Sequence, residues 1–182
     1  MLRFVAIARF HWLWGMESRL SHLVGLLVQA GLAMMEAHDL AISSLQAIAL
    51  RLSPQQDLKH ELDQFAKTHH LDAACILTGV GSLSQVVLRL AGQPNATTYP
   101  GPVEIVSLMG TLSRHGSHYH MAIADSMGRT LGGHVLHGCT IYTTAELVLG
   151  VLPHLCFTRQ PDPQTGYWEL AIASQKAAQT EV

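Results

Sequence analysis

Charge and cysteine are both scarce in this chain. The three cysteines, Cys75, Cys139 and Cys156, form no CxxC or related spacing. An odd and unpatterned set does not make a disulfide framework, and it fits buried apolar thiols in a reducing cytoplasm. Charged residues make up 13% of the 182 residues, and the formal net charge is −2 with neutral histidines. No basic excess is available to hold a nucleic-acid backbone, so any DNA contact needs a local patch or a second protein. No apolar run reaches the about 20 residues of a transmembrane helix. No GxSxG, P-loop or dinucleotide fingerprint occurs, and there is no internal repeat or low-complexity tract.

Apolar side chains and histidine are plentiful. Apolar residues make up 48% of the chain, enough for one domain with a real core, and histidines number twelve. So many imidazoles let the charge vary strongly below neutral pH.

Residues 1–44 differ in character from the rest of the chain. Met1 to Gly15 is apolar and aromatic but interrupted by Arg3 and Arg9, and Leu23 to Met35 is broken only by Gln29. Leu20, Leu23, Val24, Leu27 and Met34 recur at helical spacing, which predicts an amphipathic helix. A signal peptide matches poorly, because Arg9 falls in its apolar part and no clear cleavage site comes after it. The segment reads as a helix packing on the domain or a neighbour, as a membrane-surface helix, or as the product of a start assigned too early, with Met34 and Met35 close to the domain.

From residue 45 to 175 the pattern predicts a single α+β domain, with a short tail at 176–182. Its architecture reads as mainly antiparallel β-sheet, with one principal helix at about 56–69 and minor helical cover. Ser53 and Pro54 resemble an N-cap and first helical position, and Leu58, Leu62, Phe65 and Ala66 supply an inner stripe. Strands are expected at 47–52, 73–80, 85–90, 103–112, 117–125, 129–137, 141–152 and 167–172, with a loop at 92–101. Residues 145–151 could be helical instead.

The most informative stretch is a hairpin. Strand side chains alternate, so His118, His120 and Ala122 share one face, while Tyr119, Met121 and Ile123 share the other and look like core. Asp125-Ser-Met-Gly128 is a turn signal. A turn centred on Met127 places His120 opposite His134 and Ala122 opposite Gly132, where directly opposed Cβ atoms lie about 5 Å apart. Three convergent imidazoles suit a zinc-type ion with one position left open, and copper or nickel also fit. The competing reading is that the histidines pair with polar neighbours or line a subunit contact.

The same hairpin carries a resemblance. Ser117-His-Tyr-His-Met-Ala-Ile-Ala-Asp125, Gly128-Arg-Thr-Leu-Gly-Gly-His134 and Gly138-Cys139 are similar to the central signature of the Plants and Prokaryotes Conserved (PPC) domain, also known as domain of unknown function 296. Thr78-Gly-Val-Gly-Ser-Leu83, Gly101-Pro-Val-Glu-Ile-Val-Ser-Leu108, Thr143-Thr-Ala-Glu-Leu-Val148 and the 159–170 segment resemble further family segments in the right order. The resemblance covers about residues 45 to 173. It implies an antiparallel sheet flanked by helices, assembled as a homotrimer. It also implies a DNA-associated regulatory or assembly role, and in some members a metal on the hairpin histidines. The chain departs from the plant pattern in lacking Arg-Gly-Arg-Pro, the minor-groove anchor, and in having Pro102 and Val103 where the partner-recruiting segment has Arg and Phe.

These patterns support two expectations. The first is a cytoplasmic regulatory or assembly protein whose partners are other copies of itself and, more weakly, DNA or a DNA-bound protein. The second is a small-ligand binder or metal-dependent enzyme with one divalent ion per subunit, zinc first, on His118, His120 and His134. Glu146 is a candidate additional ligand or acid/base group, or else a structural carboxylate at a subunit contact. Glu104 poses the same choice, its plain alternative being an edge-strand charge. Arg89, Arg114 and Arg129 could form a basic patch or a solvated face. Neither catalytic nor DNA-contacting residues can be named from these patterns.

Overall fold

The chain divides after Leu40, and the computed structural model describes residues 41–175. Eight strands and one helix succeed one another, in keeping with the α+β expectation. They are β1 (Gln46–Leu52), α1 (Leu58–Thr68), β2 (Ala74–Arg89), β3 (Ala96–Ser113), β4 (Gly116–Ala124), β5 (Thr130–Val135), β6 (Thr140–Val151), β7 (Leu155–Pro161) and β8 (Trp168–Ser174). Strands β1 to β6 form one antiparallel sheet in the order β1-β6-β2-β3-β4-β5, and β7 and β8 form a separate hairpin.

The sheet closes on itself through β2. Its first part lies between β6 and β3, and its last residues also pair with β5, Leu88 with Val135 and Arg89 with His134. Strands β2, β3, β4 and β5 thus form a circuit, and the pairing covers the end of the free edge that β5 would otherwise present. Close backbone approach makes this possible. A Cβ on Gly133 would stand 2.8 Å from the Arg89 carbonyl oxygen, and one on Gly132 2.7 Å from that of Met121. These glycines admit the neighbouring strands.

The interior is filled from both sides. Leu83, Val86 and Leu88 of β2, Tyr119 and Met121 of β4, Val135 of β5 and Ile141 and Leu149 of β6 are buried. Helix α1 covers them with Leu58, Leu62 and Ala66, four residues apart and fully buried. Each such leucine contributes roughly 2 kcal/mol of apolar burial. A smaller cluster of Ala73, Leu155 and Phe157 lies under the β7–β8 hairpin.

Several boundaries differ from expectation. The helix is capped by Asp57, four residues after Ser53, because Asp57 Oδ1 accepts the His60 N–H at 2.8 Å while Oδ2 accepts the Gly138 N–H. Ser53 to Gln56 instead make a tight turn, in which the Ser53 N–H donates to Gln56 Oε1 at 2.6 Å. The two strands expected at 73–80 and 85–90 are one long strand, its register shifting at bulges around Thr78, Leu83 and Gln85 instead of ending at the glycines. The second half of the expected loop at 92–101 belongs to β3, where Ala96 to Pro100 pair with Gln85 to Arg89. Residues 145–151 are strand, and β7 is an element absent from the sequence expectation. Among the described residues α1 is the one helix, so the minor helical cover is not seen there, and no helix is long and apolar enough to cross a membrane. The helix expected within residues 1–44 lies outside the described residues.

Candidate metal centre

Strands β4 and β5 meet in the register expected from the turn. His120 pairs with His134, Ala122 with Gly132 and Ala124 with Thr130. The turn is fixed by Asp125, whose Oδ1 accepts the Met127 and Arg129 N–H groups at 2.8 and 3.0 Å. The inner face of β4 is anchored on the helix. The Tyr119 hydroxyl donates to Asp63 Oδ1 at 3.1 Å, and the Ser117 hydroxyl donates to the same oxygen at 2.6 Å. Lys59 Nζ bridges Asp63 and Ser117, at 2.8 Å from each. A buried Tyr hydroxyl needs such a partner. Burial, followed by the Asp63 charge, raises the Tyr119 pKa and keeps the phenol protonated. The strand carrying the histidines is therefore held rigidly from behind.

On the outer face, the ligand nitrogens of His118, His120 and His134 lie within 4.8 Å of one another. The Nε2 atoms of His118 and His120 are 3.1 Å apart. Two imidazole nitrogens sharing a tetrahedral zinc, with bonds of 2.0–2.1 Å, would be about 3.3 Å apart. His134 Nδ1 is buried without a hydrogen-bond partner. An orphaned buried nitrogen is costly unless something occupies it. These observations fit a divalent ion on the three rings.

Electrostatics favours neutral, ligand-competent rings at His134 and His118. Burial, then the neighbouring His118 and Arg89 charges, lowers the His134 pKa to about 4. Burial and His120 lower that of His118 as well. A metal needs deprotonated ligands, and these shifts supply them without a carboxylate.

The triad has cationic neighbours. Arg89 is the β2 register partner of His134. Thr111 is the β3 partner of His118, and its hydroxyl oxygen accepts a hydrogen bond from Arg159 Nη2 at 2.9 Å. A hollow of about 420 Å³ lies beside His118 and His134, walled by Arg89, Arg159, Tyr167, Trp168 and Glu169. A shallower one of about 350 Å³ lies beside His118 and His120, against Met109 and Thr111.

The other sequence candidates lie elsewhere. Glu146 is exposed on β6, opposite Arg51 on one side and Val80 on the other, and is not in the histidine group. Glu104 is exposed on β3 between Ala124 and Ser82. Arg129 pairs with Asp125 at 2.8 Å and Arg114 with Asp72 at 2.7 Å. Together with Arg89 beside the triad, these arginines serve three different local structures. Arg159, Glu169 and Asp63 are not singled out by the sequence. Asp63 could have been sought as the partner that a buried Tyr119 requires.

The profile of the Plants and Prokaryotes Conserved (PCC) domain, the same family as the PPC domain, matches residues 41–153. The chain belongs to this family. A hypothetical protein from Salmonella cholerae-suis is 46% identical, and the match covers 75% of this chain and 99% of that one, with a TM-score of 0.73. The PPC domain here is also 51% identical, over 133 residues, to part of the bifunctional protein GlmU of Synechococcus sp. strain JA-3-3Ab, covering 73% of this chain. The chain spans only 21% of that relative's length. A metal-containing protein from Archaeoglobus fulgidus shares the fold at 22% identity, with a TM-score of 0.63 over 72% of this chain and 99% of that one.

Proposed function

We propose that this PPC protein is a divalent-metal-binding protein, with a zinc-type ion on His118, His120 and His134 and one coordination position open to a small ligand. The observation that carries this reading is the convergence of ligand nitrogens from three rings within 4.8 Å, and the ring of His134 also has a buried Nδ1 without a hydrogen-bond partner. The metal-containing Archaeoglobus fulgidus protein of the same fold lends support. The open position results from three protein ligands in a site that prefers four. A DNA-associated regulatory role draws less support, since the net charge is −2 and Arg114 and Arg129 are each engaged by an aspartate. Free Cys75, Cys139 and Cys156 suit a reducing cytoplasm. Metal analysis after purification from zinc-supplemented medium tests the reading. About one ion per chain is expected, falling to none with His120→Ala and His134→Ala combined, and a metal-free wild type would overturn it.

Assembly is a second element of the proposal. Adjacent strands β6, β2 and β3 expose Tyr142, Val80, Val106 and Met109, an apolar set that suits burial between copies in the homotrimer of the family. Sedimentation should give three times the 19.8 kDa chain mass, and a monomer would remove this element while leaving the metal centre untouched.

A further inference from the structure

The hollow beside the triad carries charge that the histidines do not explain. Arg89 and Arg159 flank it from different strands, while Glu169 is its one carboxylate. Among the described residues neither guanidinium lies within 4.0 Å of a carboxylate. Arg159 is steadied by Thr111, and Glu169 accepts a hydrogen bond from the Thr165 hydroxyl at 3.0 Å. A divalent ion on three neutral imidazoles keeps its full charge. Ion and arginines then place a marked positive excess in a partly enclosed space, where an anion is the natural complement.

We propose that this hollow binds a small organic carboxylate, held by Arg89 and Arg159 beside the metal and lying against Tyr167 and Trp168. The inference rests on the metal-binding reading of the three histidines. The guanidinium fork matches a planar carboxylate in two parallel hydrogen bonds. The aromatic walls select an organic body over a bare inorganic anion, since Tyr167 is 65% and Trp168 68% exposed and both are free to cover an apolar group. The volume, about 420 Å³, suits a ligand of metabolite size.

The test uses full-length protein loaded with cobalt, with benzoate as probe and neutral, isosteric benzamide as control. Cobalt stoichiometry is measured first. With the ion retained, benzoate should bind saturably, perturb the cobalt absorption bands and exceed benzamide in affinity by about tenfold or more, the range of a charge-assisted contact. Arg89→Gln and Arg159→Gln should each weaken benzoate by a similar factor while keeping the cobalt. Equal binding of benzoate and benzamide by wild-type protein overturns the proposal without relying on a variant. Stronger binding of inorganic phosphate than of benzoate overturns the choice of a carboxylate. Failure to retain cobalt at all contradicts the metal reading itself, so the two failures are distinct.

Discussion

Among the described residues two groups of side chains offer metal-ligand chemistry, and they differ in what already holds them. His118, His120 and His134 form one. Asp72, His115 and Cys156, whose donor atoms also lie within 4.8 Å of one another, form the other. In the second group Asp72 is engaged: Arg114 Nε is 2.7 Å from Oδ1, a Coulombic contact without aligned hydrogen-bond geometry, and Gln175 Nε2 donates to Oδ2 at 2.7 Å. The His115 ring nitrogen accepts from Arg114 at 3.3 Å. A cation arriving there must displace an arginine. In the histidine group the engagement is between the rings themselves, where the Nε2 atoms of His118 and His120 share a hydrogen bond at 3.1 Å; a buried atom without a hydrogen-bond partner, His134 Nδ1 here and Asp72 Oδ1 there, occurs in both groups. Proximity of donors therefore does not suffice; a metal site needs donors that no side-chain cation already holds.

The comparison breaks most sharply under substitution. Removing His120 and His134 should abolish metal retention, whereas His115→Ala with Cys156→Ala should leave one ion per chain, read by native mass spectrometry. Loss of the ion from the second variant would reverse the assignment. Next in size is the cost of Asp72→Ala. It strands Arg114 and Gln175 and should lower stability by about 1–2 kcal/mol in urea unfolding, with metal content unchanged.

A smaller effect concerns pH. The folded His134 pKa lies near 4, below its ordinary value of 6.5, so the folded state resists a proton that the unfolded chain accepts. Stability of the metal-free protein should be flat with respect to this group above about pH 6.5 and fall as pH drops toward 4, levelling off below. His134→Gln should flatten that decline in melting temperature between pH 7 and 5. An unchanged slope would remove the electrostatic part of the account. The smallest effect expected is on DNA. A mobility-shift assay at low salt, where non-specific contacts are strongest, should show no retardation.

The hairpin is legible in the sequence because its logic is local. Period-two alternation sets the face, and the Asp125 turn sets the register, so the pairing of His120 with His134 needs no knowledge of the rest of the chain. Core positions Tyr119, Met121 and Ile123 come from the same alternation. The features that escape such reading are non-local. Strand β2 reads as two pieces because its glycines look like breaks, and only its pairing with β3 and β6 makes it continuous. Strand β7 is short and, among the described residues, pairs only with β8, so its seven residues carry little signal. The Ser53 cap loses to Asp57 because Asp57 also ties down Gly138, 81 positions away. Arg159 reaches the site from β7 through Thr111, a contact that spacing along the chain does not encode.

Anomalous diffraction at the zinc edge, on crystals of zinc-supplemented protein, tests the central claim most directly. A peak is predicted among His118, His120 and His134, about 2.0–2.1 Å from one nitrogen of each ring. No peak there, or a peak at Asp72, His115 and Cys156 instead, would contradict it.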